Sequence, residues 1–229
     1  MNVCDFHAHI LPNADHGSSS VSMSLTQLRL AAASGVTRIV ATPHFYPHID
    51  SVDKFINRRN SAYSELVSAM PEGAPEIRLG AEVLLCPNMS RLPGIEKLAI
   101  YGTRTLLIEL PFNDFGREYI HSVEGLIFAG FDVVLAHADR YESNNIEEML
   151  DLGVSLQLNA SSISRFFRRR AVTDWLSRGV VSAIGSDIHG EDAYAYKVFK
   201  SSLSRAGKAL SDIIFRSDKV WNSSQIFTV

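Results

Sequence analysis

The sequence predicts an α/β fold, a distorted (β/α)7 barrel of the TIM-like kind. Three observations predict it. Short apolar, β-branched runs recur along the chain, amphipathic segments separate them, and several runs are apolar nearly throughout, as in parallel strands covered on both faces. The candidate strands are 2–7, 38–42, 76–84, 105–110, 131–137, 154–158 and 180–186. Between them, 22–34 reads as a helix stopped by Gly35, and 53–70 as one stopped by Pro71. Asn144 with Glu147 three residues later resembles a capping box, and Gly153 closes that helix. Segment 164–177 places Phe167, Ala171 and Trp175 at i, i+4 and i+8 and stops before Gly179. The stretch 190–229 reads as helical first and irregular afterwards. No linker or low-complexity segment divides the chain, so residues 1–229 are expected to form one domain.

Composition narrows the function classes. The 229 residues are 46% hydrophobic and 21% charged, with a formal net charge of -3, which argues against a general nucleic-acid binder. No apolar run approaches the roughly 18 residues of a membrane span. The N-terminus has no basic, cleavable leader. Cys4 and Cys86 do not make a disulfide framework, and the expectation is reduced thiols in the cytoplasm.

The histidines carry the chemistry. Of eight, six (His7, His9, His16, His44, His137 and His189) fall at or just after the C-terminal end of a candidate strand. In parallel α/β barrels that edge gathers the catalytic loops. His7 and His9 are two apart, so both imidazoles leave one strand face, and Asp187 and His189 repeat the spacing. Glu82 and Glu109 sit inside apolar runs, where an unpaired charge is very costly. Any one of these is explained by an ion pair, a helix cap or a surface histidine. Their collection on one edge points to divalent metal, with imidazole suiting zinc or iron and carboxylate admitting manganese. His48 and His121 default to solvated residues, although His48 is near enough to reach the mouth of the site.

The ordered runs D-F-H-A-H-I-L-P-N-A-D-H-G, A-T-P-H, G-A-E, L-I-E-L-P, A-H-A-D-R-Y and S-D-I-H resemble the polymerase-and-histidinol-phosphatase (PHP) superfamily. Within it they are most similar to bacterial metal-dependent tyrosine phosphatases of capsule and exopolysaccharide clusters. The resemblance covers about residues 1–189. It implies three divalent cations (manganese, iron or zinc). His7, His9, Glu82 and Asp187 would hold the first, Glu82, Glu109 and His137 the second, and His16, His44 and His189 the third. It also implies a phosphotyrosine protein substrate, an autophosphorylated bacterial tyrosine kinase, with a small phosphate ester such as histidinol phosphate as the alternative. Two departures stand out. His16 replaces a carboxylate of the D-D-G pattern, with Asp15 as the fallback ligand. An arginine usual near position 194 is missing, since none lies between His189 and Arg205.

Arg140, three residues beyond His137, is a candidate phosphate clamp, because a guanidinium grips phosphate with two hydrogen bonds. Asp187 is expected to help orient the attacking water. Arg168, in the basic-aromatic run 165–170, is a candidate substrate contact; the same run permits a homo-oligomer without requiring it. Cys86 and Arg91 have the wrong spacing for a cysteine phosphatase, and no phosphate-binding glycine loop or serine elbow occurs. An amidohydrolase would commonly use a mid-barrel lysine, and no lysine falls at a strand end. A non-catalytic metal-binding regulator is the remaining rival.

Overall fold

The computed structural model describes residues 2–111, 116–165 and 170–223, with backbone alone at 143–145. The chain alternates strand and helix: β1 (Cys4–Ala8), α1 (Val21–Ala33), β2 (Arg38–Ala41), β3 (His44–Phe45), α2 (Val52–Ala69), β4 (Glu76–Leu79), β5 (Glu82–Leu84), β6 (Thr105–Glu109), α3 (Arg117–Phe128), β7 (Asp132–Leu135), α4 (Ser143–Asp151), β8 (Ser155–Asn159), α5 (Ala160–Ser164), α6 (Arg170–Arg178), β9 (Val181–Gly185), α7 (Ala193–Arg205) and α8 (Ala209–Asn222). Every ladder is parallel. One sheet runs β1-β2-β4, the other β3-β5-β6-β7-β8-β9.

Two interruptions mark the strands. The expected strand 38–42 forms β2, and Pro43, which has no N–H to give a ladder, separates it from the short β3 beyond. Segment 76–84 divides into β4 and β5 at Gly80–Ala81, where a Cβ on Gly80 would lie 3.2 Å from the Val40 side chain. Hydrogen bonds carry the register across both breaks, from Gly80 N–H to the Ala41 carbonyl (2.9 Å) and from Glu82 N–H to the Pro43 carbonyl (3.1 Å). At the other side, Asp187 N–H donates to the His7 carbonyl (2.8 Å) and His9 N–H to that of Ile188 (3.3 Å).

α3 fills the place between two strands where the alternation calls for a helix to which the sequence reading gives no bounds. The helices correct the reading at three places. α4 starts at Ser143 with Glu142 at its N-cap, so Asn144 falls inside the helix and not at the cap position expected of it. The expected helix 164–177 is not continuous: α5 ends at Ser164, Arg165 is extended, and α6 starts at Arg170. Phe167 and Arg168 lie outside the described residues. The last part of the chain, expected to be irregular, forms α8. Its Trp221 packs under the guanidinium groups of Arg38 and Arg78, 5.1 and 5.0 Å from the ring centroid, and burial of that face explains the helix.

Trp221 completes an apolar cluster with Cys4, Phe6, Val40, Leu107 and Val134. That cluster sits on the same strands as the histidines and carboxylates, two or more residues earlier in several of them. A larger core, including Ile39, Ala41, Leu106 and Ile108, joins the opposite strand faces to the helices.

Candidate metal centre

The centre begins with a distortion of β1. Asp5 pairs with Ile39 and Ala8 with Ala41, so three steps on β1 match two on β2, a β-bulge. Simple alternation would send Phe6 and His7 to opposite faces. With the extra residue, Phe6 joins the apolar cluster while His7 turns to meet His9. Their Nε2 atoms are 3.1 Å apart. Gly185 makes room, since a Cβ there would fall 2.6 Å from the His7 Cβ.

Each ring is oriented from behind. His7 Nδ1–H donates to Gln157 Oε1 (3.0 Å), which also accepts from His137 N–H (2.7 Å). His9 Nδ1–H donates to Asp15 Oδ2 (2.6 Å). With both Nδ1 atoms donating, the two Nε2 atoms are the ones left to face each other, and a cation that displaces protons from them would take both as ligands. Glu82 Oε2 is 3.1 and 3.2 Å from these Nε2 atoms, and Asp187 Oδ1 is 3.7 and 3.5 Å away. A first-row cation at about 2.1 Å from its ligands spaces them roughly 3.0–3.4 Å apart, so the donor set fits a metal.

Further groupings adjoin the first. His137 Nε2 lies 2.7 Å from Glu82 Oε1 and 3.5 Å from Glu109 Oε1, and His44 Nδ1 lies 2.9 Å from Glu82 Oε2 and 4.0 Å from Glu109 Oε2. The sets His7–His9–Glu82, His44–Glu82–Glu109 and His9–His44–His189 each bring three donor atoms within 4.8 Å of one another. Glu82 Oε2, His44 Nδ1 and His189 Nε2 are buried atoms without a hydrogen-bond partner. Glu82 Oε2 and His44 Nδ1 are close but no N–H is aimed along the line between them, which is how ligand atoms around a shared cation are disposed.

His16 is exposed, and its ring stacks on His44 (4.9 Å) and His189 (4.7 Å). Asp15 has another role: its oxygens hold His9 Nδ1–H, Gly17 N–H (2.8 Å) and His44 N–H (3.0 Å). That corrects the fallback assignment, because Asp15 orients ligands rather than facing the cluster. His48 and His121 are exposed.

Burial and mutual charge set the protonation. Burial opposes a charge on His137, but hydrogen bonds to Glu109 and Glu82 outweigh it and raise its pKa to about 9. Burial likewise opposes a charge on His9, and its bonds to Asp15, Asp187 and Glu82 hold it well above the usual imidazole range. His189 moves the other way, to about 4, through burial and the nearby His9. Asp187 is held below the usual carboxylate range: burial works against this, and His7, His9 and Arg140 overcome it.

Arg140 reaches the centre, its Nη2 bonded to Asp187 Oδ2, and its side chain remains 40% exposed. Asn159 Nδ2 donates to the same oxygen (3.1 Å), leaving Asp187 Oδ1 to the imidazoles. His137 and Asp187 adopt left-handed backbone, with φ of 32° and 53°. At a non-glycine residue this costs about 1–2 kcal/mol each, and such strain gathers where function requires a side chain's aim. Sequence reading missed Gln157, Asn159 and Tyr141, whose hydroxyl lies 3.2 Å from His137 Nδ1. Gln157 and Asn159 had a signal, the same period-two spacing at a strand end that exposed His7 and His9.

A parallel α/β scaffold carrying a cluster of imidazoles and carboxylates at its strand C-termini defines a class: proteins with a candidate metal-binding site on a β/α framework. Within that class, the chain belongs to the CpsB/CapC family of capsular polysaccharide synthesis, whose model matches residues 3–218. It is 27% identical over 212 residues to the tyrosine-protein phosphatase CpsB of Streptococcus pneumoniae, covering 82% of this chain and 84% of that one. It is 25% identical over 211 residues to the tyrosine-protein phosphatase YwqE of Bacillus subtilis, covering 81% and 76%. The fold matches a chain from the crystal structures of YwqE and CpsB, described as unique metal-dependent tyrosine phosphatases. There the TM-score is 0.81 and the identity 18%, with 98% and 96% of the two chains covered. No helix among the described residues is long and apolar enough to cross a membrane.

Proposed function

We propose that this protein is a metal-dependent phosphoric monoester hydrolase that removes phosphate from tyrosine in a protein substrate. In the family's setting that substrate is an autophosphorylated tyrosine kinase of capsule or exopolysaccharide synthesis, met in the cytoplasm. The observation that carries the reading is the pair of Nε2 atoms of His7 and His9, 3.1 Å apart with both Nδ1 atoms already engaged. The tyrosine phosphatases CpsB and YwqE among its relatives supply the substrate class.

In this reading residues 1–229 act as one domain, and the two sheets are the wall of one distorted (β/α)7 barrel. The bonds joining β1 to the segment after β9, and those crossing the Thr42–Pro43 and Gly80–Ala81 breaks, support it. His7, His9, Glu82 and Asp187 hold one divalent cation, Glu82, Glu109 and His137 a second, and His16, His44 and His189 a third. Manganese, iron and zinc all suit these donors. Divalent cations supply a water acidified toward neutral pH and positive charge for the phosphoryl oxygens.

The chain's own residues do the rest. Gln157 and Asp15 fix His7 and His9 as Nε2 donors. Asn159 and Arg140 engage Asp187 Oδ2 and keep Oδ1 turned to the centre. Arg140 presents a guanidinium at the opening, where it can take two phosphoryl oxygens and balance charge that grows during transfer. A phenolate leaving group, of pKa about 10, asks less of an acid than an alkoxide does.

The test is turnover. Metal-stripped protein is reloaded with manganese, iron or zinc and given p-nitrophenyl phosphate and a phosphotyrosine peptide, beside His137→Ala. Metal-dependent turnover of both substrates that the substitution abolishes is expected. Turnover of the small ester alone moves the assignment to small phosphate esters, and no turnover by metal-loaded protein overturns it.

A further inference from the structure

Beside the His/carboxylate centre lies a cavity of about 300 Å³. Its lining joins Arg140, Asp187 and His189 of the centre to Tyr194, Ala195 and Val198 of α7. We propose that Tyr194 is a specificity-determining residue: its ring is the wall on which the aromatic part of an aryl phosphate lies, while the phosphate faces Arg140 and the centre. The inference rests on the phosphatase reading and specifies how that site selects its leaving group.

Size permits it. A buried apolar space of about 150 Å³ takes up benzene, so about 300 Å³ has room for a phenyl ring and its phosphate. Polarity then sets the orientation. The guanidinium of Arg140 draws the phosphate to one side. Among the described lining residues Arg140 is the one guanidinium, and the α7 end carries the carboxylate of Asp192, which repels an anion. An apolar or aromatic group is what that end accepts. Tyr194 is 70% exposed, so its ring is available at the cavity.

Its position is also fixed. Tyr194 N–H donates to Asp192 Oδ1 (2.8 Å) at the helix cap. Two residues on, the buried Tyr196 hydroxyl donates to Asp5 Oδ2 (3.0 Å), and Asp5 Oδ1 accepts from Ser186 N–H (2.8 Å), next to Asp187. The first turn of α7 is thereby registered to the strand ends that carry His7 and Asp187. The backbone that carries the ring is held in this way, and a tyrosine ring has only two side-chain torsions to lose when another ring stacks on it.

Phenylphosphonate and methylphosphonate, which share the anionic head and lack the hydrolysable ester, separate ring from phosphate. Both are titrated by calorimetry into wild type, Tyr194→Ala and Tyr194→Phe. The wild-type preference for phenylphosphonate should fall about two- to tenfold in Tyr194→Ala, the range of one aromatic pair. Tyr194→Phe should retain it, and methylphosphonate affinity should not move. With p-nitrophenyl phosphate, Tyr194→Ala should raise KM more than it lowers kcat. An equal phenyl-to-methyl ratio in wild type and Tyr194→Ala, or no phenylphosphonate binding by wild type, overturns the proposal. Failure of the phosphatase reading shows separately, as absent p-nitrophenyl phosphate turnover in the same metal-loaded wild-type preparation.

Discussion

The two ends of the same strands follow opposite rules. On β6, Leu107 is packed among apolar neighbours, and two residues later Glu109 faces imidazoles. On β7, Val134 belongs to the apolar cluster, and His137 just beyond the strand is buried, raised in pKa by its carboxylate neighbours, and left-handed. The apolar end is closed by Trp221 under two guanidinium groups, with Arg38 Nη1 2.8 Å from Asp218 Oδ1. The polar end keeps buried atoms without partners and two residues in strained backbone. One end stabilises the fold and the other draws on that stability to hold ligand atoms together. The alternation of residues decides which face is used, and position along the strand decides which rule applies.

Substitutions should therefore separate stability from activity. Trp221→Ala should have the largest effect, a loss of about 3–5 kcal/mol of stability, measured by urea unfolding, with metal content per folded molecule unchanged. A similar loss of metal would show that the two ends are coupled. Glu82→Gln should lower metal-dependent turnover by more than about 100-fold, beyond what a residue behind the ligands costs, while circular dichroism stays native. Gln157→Leu should weaken metal binding by about 10–100-fold, because His7 loses the acceptor that fixes its tautomer; competition with a chelator of known affinity reads this out.

The smallest effect is in pH. His137 has a folded pKa of about 9, above the unfolded imidazole value of about 6.5. Its contribution to the stability of the metal-free protein is complete below about pH 6.5 and lost as pH rises through 9, with a slope of at most about 1.4 kcal/mol per pH unit for one proton. His9 acts in the same direction. His189, lowered to about 4, works the other way: its contribution is present above about pH 6.5 and lost as pH falls toward 4. The urea midpoint of metal-free protein should fall between pH 7 and 9, and saturating metal should abolish the fall. A flat midpoint would contradict the charge assignments.

What the sequence made legible was periodic or costly. Parallel strands appeared as apolar runs, and His7, His9, Glu82, Glu109, His137, Asp187 and His189 stood out because charge at a buried strand end needs a reason. The β1 bulge was invisible, since one extra residue leaves the composition of a strand unchanged. Gln157 and Asn159 share the period-two spacing at a strand end, but they are neutral, and an uncharged side chain there carries no burial cost that calls for a reason. Asp15 was read as a fallback ligand because spacing cannot show that its oxygens are already engaged by His9, Gly17 and His44. α8 was missed because the partners of Trp221, Arg38 and Arg78, are more than 140 residues away.

The most direct test of the central claim is anomalous diffraction from crystals grown with manganese. A peak within bonding distance of His7 Nε2, His9 Nε2 and Glu82 Oε2 is the predicted result. Ordered rings at the same separation with no peak between them, at saturating manganese, would contradict it.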